Sequence, residues 1–413
     1  MLVEIHILQN HSPSNLNRDD LGAPKTAIFG KTLRARISSQ CLKRSIRTSE
    51  ILRDALKSYL GVRTKYFPEE VGNALKDGKL FPDEAERAKI VVACTRIADD
   101  KENKEESGDD AESIRPKTEQ LIFLGPNEVT AFVGALARLK QSMPTEYKRF
   151  LKKGEIKIKD AKEPEAKVAK GEKEKEPSAE FWHEIKKSYN GSAVDIALFG
   201  RMTTSNAFEN VEASMEVAHA ISTHELNAEV DYYTAMDDRG GEGPGAGHIG
   251  ETQYNSATYY KYFSLDWNSF VKALGGNNAT KETEKLAETA LRAFIEAAVF
   301  AMPSGKKKGF ANNNLPDGVL IEVKARNIPT NYANAFLKPA LAGKNGDLMD
   351  ASIRGLDDYV GKVQKGFAIG GQRCWWSATY LQEKTPFESA SRVATLDEII
   401  KWTSAEVKKG GKA

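Results

Sequence analysis

Cysteine and long apolar runs are both scarce in this sequence. The 413 residues include three cysteines, Cys41, Cys94 and Cys374, which lie far apart in the chain. An odd and scattered set argues against a disulfide framework and is typical of a reducing compartment, so we expect a cytoplasmic protein. No segment approaches the ~20 consecutive apolar residues that a membrane helix needs. The N-terminal apolar stretch carries Glu4 and His6 and lacks the basic start of a signal peptide, so we expect no membrane partner.

Motifs of catalysis and cofactor binding are also few. There is no P-loop lysine motif and no G-x-S-x-G string, and His219 and His224 do not have the H-E-x-x-H spacing of a zinc site. Residues 245–250 match G-x-G-x-x-G, but a dinucleotide site needs a strand before this motif and a helix after it. Here a charged, glycine-rich segment precedes it and a predicted strand follows. We therefore predict a hairpin connection at 240–250, no cofactor and no metal, and the hypothesis of a nucleotide-dependent metabolic enzyme has no other support.

Acidic residues are absent from one stretch near the N-terminus. Between positions 25 and 49 there is no Asp or Glu, although the whole chain has a net charge of only +2. The same stretch contains seven basic residues: Lys25, Lys31, Arg34, Arg36, Lys43, Arg44 and Arg47. The positive charge is therefore local rather than a property of the whole chain.

The spacing within this stretch predicts a helix from about residue 39 to residue 60. Ser38 or Ser39 is a suitable N-cap. One face of the helix then carries polar and basic residues at i, i+3, i+4 and i+7, namely Gln40, Lys43, Arg44 and Arg47. Leu42 and Ile46 lie on the other side and would hold the helix on a core.

Two interpretations of this helix remain. Cations in a first helical turn oppose the helix dipole, whereas helix N-termini bind phosphate through free N–H groups. The basic face is either simply solvated or it binds a polyanion. Because the acid-free run, the serine start and Arg34 and Arg36 occur together, we predict a polyanion, first of all the backbone of RNA or DNA.

The remaining periodicities predict an α+β fold. Strands are predicted at 3–7, 194–200, 257–265 and 319–324, and a long helix at 282–302. With the basic helix, the order is β-α-β-β-α-β, the ferredoxin-like arrangement that RNA-recognition domains share. A further helix is expected at 127–141, and a strand at 374–381 and a helix at 396–407 near the C-terminus. The polar segments 99–112 and 152–176 are predicted to be mobile surface segments.

Asp19 and Asp20 border the basic run and are the candidate catalytic carboxylates. Paired acids beside a bound phosphate hold Mg²⁺ or orient a leaving group in some enzymes. They equally well cap a turn or pair with Arg18. Without a third acid nearby in the sequence, we expect no catalytic residues.

Several strings resemble the CasC family, the backbone subunits of the type I-E CRISPR surveillance complex, Cascade. The strings are HSPSNLNRDD at 11–20, AIFG at 27–30, RISSQCLKR at 36–44, VDIALFGRM at 194–202, AHAISTH at 218–224 and ANAF at 333–336. The resemblance is weakest across 61–190. It implies a modified RNA-recognition palm with a helical fingers insertion and a thumb insertion.

The resemblance also implies domain bounds. The first part of the palm would comprise 1–60, the fingers 61–190, a palm strand 191–200 and the thumb 201–250. Residues 251–413 would form the second part of the palm with C-terminal helices.

The resemblance further implies where guide RNA binds. Phosphates would be held by Arg18, Lys25, Ser38, Gln40, Lys43, Arg44 and Arg47, and we add Lys31, Arg34 and Arg36 from the same basic run. Met202 would wedge between bases and kink the strand, with Arg201 beside it; apolar wedges that unstack bases are known from other nucleic-acid-binding proteins.

The expected function is non-catalytic. The subunit would polymerise along the guide (cr)RNA so that the guide can pair with invading target DNA. Its partners would be other copies of itself, other Cascade subunits and a recruited nuclease. The alternative is an Mg-dependent target-RNA endonuclease of a type III-like effector that uses Asp19 or Asp20.

Overall fold

The computed structural model describes residues 1–98, 115–160, 176–236, 246–276, 279–342, 347–378 and 386–410, with backbone alone at 153–160, 236 and 246–248. The strands are β1 Leu2–Ser14, β2 Thr26–Phe29, β3 Thr32–Ile37, β4 Val62–Thr64, β5 Ile122–Leu124, β6 Met215–Val217, β7 Ala220–Ser222, β8 Ala228–Met236, β9 Ala246–Asp266, β10 Gly318–Lys324, β11 Gln372–Trp376 and β12 Ser391–Arg392. The helices are α1 Ser39–Arg47, α2 Glu50–Leu56, α3 Phe67–Ala74, α4 Glu84–Cys94, α5 Glu128–Ser142, α6 Pro144–Asp160, α7 Ala179–Lys187, α8 Val194–Phe199, α9 Trp267–Gly275, α10 Lys281–Phe300, α11 Lys307–Phe310, α12 Leu348–Phe367 and α13 Leu396–Lys408. Short 3₁₀ turns lie at Lys57–Tyr59 and Tyr332–Phe336. The α+β class is confirmed.

The first of two compact units contains one large, mostly antiparallel sheet and comprises residues 1–55, 215–270 and 285–413. The strand order is β12-β11-β10-β1-β9-β7-β3-β2, and β6 and β8 also pair with β9. In the centre, Ile5 of β1 lies opposite Ile321 of β10 and Phe263 of β9. β1 is therefore buried between two neighbours over most of its length.

Polar side chains of the central strands form a buried network. Tyr262 donates its hydroxyl hydrogen to Glu4 Oε1 at 2.6 Å, and Lys324 forms an ion pair with Glu4. Tyr332 donates to Glu322 Oε2 at 2.9 Å, and Glu322 is also paired with Arg373. Burial by itself raises the pKa of Glu322, but hydrogen bonding from His6 and the charges of Lys324, His6 and Arg373 outweigh it and hold this pKa below its ordinary value. These buried charges are thus compensated within the sheet.

The second unit comprises residues 56–214 and 271–284 and is mainly helical. Its core is built around aromatic side chains of α3, α5, α6 and α7: Phe67, Phe132, Phe150 and Phe181 are all fully buried. Phe67 and Phe132 meet edge to face with ring centroids 5.3 Å apart, an orientation that aromatic pairs prefer. The short antiparallel pair of β4 and β5 belongs to the same unit.

Several predicted elements correspond to observed ones. The strands at 3–7, 257–265 and 319–324 lie within β1, β9 and β10, the helix at 127–141 corresponds to α5, and the helices at 282–302 and 396–407 correspond to α10 and α13. The helix predicted at 39–60 is divided into α1 and α2, because Thr48 and Ser49 interrupt it. The strand at 374–381 is observed as β11 up to Trp376, and 379–381 lie outside the described residues.

The strand predicted at 194–200, within the palm segment 191–200, is wrong. Val194–Phe199 forms helix α8, all six of its residues are buried, and the segment belongs to the second unit rather than to the sheet. A short continuous apolar run does not distinguish a buried strand from a buried helix. On the side of β9 away from β1, the strands β6 and β7 pair with the part of β9 that faces β1. Each has only three residues and therefore gives little sequence signal.

Other predictions fall partly on residues that are not described. Positions 99–112 lie outside them, and so do 161–175 of the segment 152–176, whose beginning forms the end of α6. Of the predicted glycine-rich connection at 240–250, residues 246–250 begin β9, which pairs antiparallel with β8, and 240–245 are outside the described residues. None of the helices in the described part of the chain combines the length and apolar content that a bilayer span requires.

His11 makes the fold sensitive to acid. The side chain is fully buried in β1, and neither ring nitrogen has a hydrogen-bond partner among the described residues. Burial, and to a smaller extent the charge of Lys261, lowers the pKa of His11 from 6.5 to about 3. In the unfolded chain the imidazole gains a proton below pH 6.5, whereas in the folded protein it stays neutral. His11 therefore does not affect the free energy of unfolding above pH 6.5, and it lowers this free energy as the pH falls below 6.5.

We expect this imidazole to reduce the free energy of unfolding by about 2 kcal/mol at pH 5 relative to pH 7.5. The measurement is urea denaturation at both pH values for the unaltered protein and for His11→Gln, which should lose correspondingly less stability on acidification. His183→Gln on the exposed face of α7 is the control and should behave like the unaltered protein. Equal pH dependence in all three proteins would contradict the prediction.

Candidate nucleic-acid interface

The start of α1 is held in place by hydrogen bonds. Ser38 is the N-cap, as one of the two predicted candidates, and its Oγ accepts a hydrogen bond from the Cys41 backbone N–H at 3.3 Å. The Ser38 N–H donates to Asn17 Oδ1 at 2.9 Å, and the Ser39 N–H donates to His219 Nδ1 at 3.1 Å. Because Ser38 is only 6% exposed, its role in the structure is to cap the helix.

His219 is neutral in this arrangement. Burial lowers its pKa first, and the charges of Arg36 and Lys25 lower it further. An Nδ1 that accepts a hydrogen bond from Ser39 is unprotonated, which agrees with the lowered pKa. The charges of Lys25 and Arg36 thus reach the N-terminal end of α1.

The two faces of α1 differ as predicted. Leu42 and Ile46 are buried, Gln40 and Arg44 are exposed, and Lys43 and Arg47 are half-buried. Because the helix ends at Arg47, Arg44 and Arg47 lie in its last turn, where the helix dipole favours cations. These two arginines therefore interact favourably with the helix dipole instead of opposing it. The first turn contains no acidic residue.

The segment before α1 forms a tight hairpin. Gly30 and Lys31 have φ of 59° and 66° and join Phe29 to Thr32, the geometry of a two-residue β-hairpin turn. Lys31 is exposed at this turn. Lys25 is half-buried, and its backbone N–H donates to Asn17 O at 2.8 Å, which ties the hairpin to the loop that contains Arg18.

Three basic side chains share a groove in the first unit. The groove has a volume of about 940 Å³, and its lining includes the cations Arg18, Arg44 and Lys307 together with the carboxylates Asp19, Asp20 and Glu50. Apolar side chains, among them Ile51 and Phe300, also contribute to it. We call it the basic groove. Its volume lies in the range of typical ligand sites. Other proteins bind single-stranded nucleic acid with similar combinations of cations and apolar surface.

Besides Ser38, two predicted RNA contacts lie inside the protein instead. Arg34 is fully buried and donates to Thr32 Oγ1 at 2.7 Å, to Ser222 O at 2.9 Å and to Phe336 O at 2.8 Å. Burial lowers the pKa of its guanidinium. Its hydrogen-bonding capacity is used within the fold, so we withdraw Arg34 from the proposed phosphate contacts.

Arg201 is the second predicted RNA contact that lies inside the protein. It is 6% exposed and forms an ion pair with Glu128 at 2.7 Å, and it also donates to Phe123 O at 3.0 Å and to Glu209 O at 3.0 Å. It connects the loop that follows α8 to β5 and α5. Arg201 is therefore a structural residue rather than an RNA contact.

Met202 has the opposite environment to its neighbour. Its side chain is 95% exposed. The loop around it is ordered by two backbone hydrogen bonds between Arg201 and Val211, at 2.9 and 2.8 Å, and by the Thr203 N–H, which donates to Asn210 Oδ1 at 2.7 Å. Met202 is therefore not a core residue, and its side chain is accessible to a bound strand, as the predicted wedge requires.

The two candidate carboxylates differ in their environments. Asp19 accepts backbone hydrogen bonds from Leu21 at 3.0 Å and Ala23 at 2.9 Å, so its carboxylate stabilises a turn. Asp20 is exposed, and both residues line the basic groove. Within the described ranges, no group of three or more His, Cys, Asp or Glu side chains is arranged to hold a metal ion.

Some candidate residues were missed by sequence reasoning. Lys307 is distant in sequence from the other cations of the basic groove, although the lysine run at 306–308 is a visible signal. A side chain at Gly305 would place its Cβ 2.4 Å from Leu16 O, so glycine allows this loop to approach the Arg18 loop. On the β8–β9 hairpin, Tyr232 and Ile249 are 72% and 66% exposed.

Comparisons with known proteins agree with this description. A chain of a "CRISPR RNA-guided surveillance complex, pre-nicking" has a TM-score of 0.72 and 25% sequence identity, covering 98% of this chain and 99% of that chain. A chain of a "CRISPR RNA-guided surveillance complex" has a TM-score of 0.57 and 22% identity, over 98% and 100%. A search of curated proteins gave no match. The protein thus has the fold of subunits of such complexes.

The family follows from the sequence itself. Residues 3–402 match the model of the CT1975-like protein family (Cas_CT1975), and the chain belongs to that family. The resemblance to Cascade backbone subunits is confirmed at the level of the family, and a Cascade-type role is supported.

Proposed function

We propose that this protein is a non-catalytic backbone subunit that polymerises along a guide RNA and holds it for pairing with target DNA. The observation that carries this proposal is the basic groove, where Arg18 and Arg44, predicted from sequence, lie together with Lys307. Phosphate contacts position a nucleic acid without reading its sequence. Such contacts suit a subunit that must accept any guide.

The basic face of α1 extends the same site. Arg44 is exposed and lines the groove together with Ser45 and Thr48, and Gln40 is exposed one turn earlier on the helix. We propose that Lys25, Lys31, Arg36, Lys43 and Arg47 contribute further contacts or long-range attraction along this surface. Ser38 contributes indirectly, because it fixes the start of the helix.

The kinking role is assigned to exposed apolar side chains. Met202 is the proposed wedge, and the exposed fraction of its side chain supports this role. Tyr232, Tyr233 and Ile249 on the β8–β9 hairpin are additional candidates for stacking on bases, because aromatic faces bind bases of any sequence. Inserting such side chains between bases costs a few kcal/mol per step, which the phosphate contacts have to offset.

We further propose that four strands constitute an RNA-recognition-like palm. β10, β1, β9 and β7 are adjacent and mutually antiparallel, an order in which the last, first, third and second strands of a ferredoxin-like unit follow one another. In this assignment the helical unit represents the fingers and the β8–β9 hairpin the thumb. Other copies, other Cascade subunits and a recruited nuclease would be the partners.

The direct test is to purify the protein with the products of its neighbouring genes and to sequence any RNA that is retained. We expect RNA of one length class with a common repeat-derived end. A variant with all three cations of the basic groove replaced by alanine should assemble without RNA or fail to assemble. Purification without RNA in the unaltered protein would contradict the proposal.

The rival function is metal-dependent cleavage of target RNA by Asp19 or Asp20. Because the Asp19 carboxylate stabilises a turn, Asp20 is the better candidate for activating the nucleophile. We expect the assembled complex to leave complementary RNA intact in the presence of Mg²⁺, and Asp20→Ala to change nothing. Cleavage at regular intervals that disappears in Asp20→Ala would establish the rival, and Glu50→Ala at the same groove is the matched control.

A further inference from the structure

Lys261 is a buried cation without a counter-charge. It lies in β9 and is 1% exposed, and its ammonium donates a hydrogen bond to Gln9 Oε1 of β1. Gln9 in turn donates to Asn314 O at 2.5 Å, so this chain of hydrogen bonds ends on a backbone carbonyl. Among the described residues, no carboxylate is paired with Lys261. Burying an ammonium is costly unless an anion compensates it, so its presence here calls for an explanation.

The position of Lys261 relates it to the basic groove. It is on the sheet face that α1 covers, where its neighbour Tyr259 packs in one cluster with Leu42 and Cys41. Cys41 also lines the groove. Burial raises the pKa of the Cys41 thiol, and Lys25, Arg44 and Lys261 are among the groups that lower it in turn. Lys261 is therefore linked to the groove through Tyr259 and Cys41, and its charge acts on the Cys41 thiol in the groove wall.

We propose that Lys261 is a positioning charge beneath the basic groove, which draws a phosphate of the bound strand into the groove without touching it. This inference rests on the proposed function. The physical reason is that a charge in a low-dielectric interior is screened less than one in water, so a phosphate at the groove gains more from Lys261 than from an exposed lysine at equal distance. The phosphate supplies the missing counter-charge.

The proposal couples binding to protonation. Burial lowers the pKa of Lys261 to about 8. A bound phosphate favours the charged form and raises this pKa again, so binding takes up a proton where the free lysine is partly neutral. Affinity should then fall as the pH rises through this pKa. Because the free lysine loses its proton between pH 7 and pH 9 and the bound one keeps it, the loss of affinity over this interval should be roughly five- to tenfold.

The groups around Lys261 are not expected to titrate between pH 7 and pH 9. His11, with a pKa of about 3, stays neutral throughout, and burial raises the pKa values of Tyr259 and Cys41. The remaining charged groups of the groove are Arg18, Arg44, Lys307, Asp19, Asp20 and Glu50. An oligoadenylate is a suitable probe, because adenine does not titrate between pH 7 and pH 9.

The experiment measures oligoadenylate binding by the purified full-length protein at pH 7 and pH 9 and constant ionic strength. The unaltered protein should bind five to ten times more weakly at pH 9. Lys261→Met should bind more weakly than the unaltered protein at pH 7 and equally at both pH values. Lys261→Arg has a charge that does not titrate in this range, so it should keep the affinity at pH 7 and also lose the pH dependence. Because this variant keeps the charge, it distinguishes the loss of the charge from a folding defect in the methionine variant.

Lys362→Met on α12 is the matched control, because its side chain is 70% exposed, and it should retain the full pH dependence. The inference is overturned if Lys261→Met or Lys261→Arg keeps the pH dependence of the unaltered protein, or if the unaltered protein shows none. Absence of oligoadenylate binding at either pH would instead overturn the proposed function, and the inference with it.

Discussion

Replacing Arg18, Arg44 and Lys307 together by alanine is expected to lower the affinity for single-stranded RNA by about a hundredfold. At roughly 1 kcal/mol for each lost ion pair at the solvent-exposed surface, three contacts amount to about two orders of magnitude. The loss should be the same for unrelated RNA sequences, because these side chains contact phosphates rather than base edges. The measurement is equilibrium binding of several unrelated oligonucleotides.

Salt dependence separates this mechanism from a general defect. For single strands, the slope of log affinity against log salt changes by about 0.7 for each phosphate contact, so the triple variant should lose about 2 units of slope. Lys362→Ala with Lys401→Ala is the control, because both side chains are exposed on α12 and α13 and the double variant removes two positive charges away from the groove. A slope equal to that of the unaltered protein would exclude phosphate contact at the groove.

Breaking the ion pair between Arg201 and Glu128 should have the largest effect on stability. Arg201→Met leaves the Glu128 carboxylate buried and without its partner, which typically costs about 3–5 kcal/mol. The hydrogen bonds of Arg201 to the Phe123 and Glu209 carbonyls are lost as well. We expect this loss in the free energy of unfolding of the helical unit, measured by urea denaturation and hydrogen exchange.

The double variant Arg201→Met with Glu128→Gln tests the cause. Removing both charges removes the unpaired carboxylate, so most of the lost stability should return. Arg138→Met on the exposed face of α5 is the control and should change stability little. If the single and double variants are equally unstable, packing rather than charge compensation explains the effect.

Local signals in the sequence predicted the local features of the site well. Ser38 as a cap, and the division of α1 into a basic face and a face with Leu42 and Ile46, follow from spacing over a few residues. β1, β9 and β10 were predictable because their apolar residues are dense and β-branched or aromatic. In each of these segments the local preference and the tertiary environment agree.

The predictions that failed concern residues whose environment depends on partners far away in the sequence. Arg34 is buried because carbonyls of Ser222 and Phe336 accept its hydrogen bonds, and neither is visible from the basic run. Arg201 depends on Glu128 in the same way. α8 was mistaken for a strand because all its residues are apolar except Asp195, whose carboxylate accepts the Gly61 N–H at 2.7 Å. Lys307 joins the groove only through the folded chain.

The hydrogen bonds of Asn17 have a kinetic consequence for a strand that arrives at the groove. Its side chain accepts from Ser38 and its carbonyl from Lys25, so the loop carrying Arg18 is fixed to the helix carrying Arg44 before any ligand is present. A preorganised site loses little conformational entropy on binding. Association should then be limited by diffusion rather than by loop rearrangement, and differences between weak and tight complexes should appear in their lifetimes.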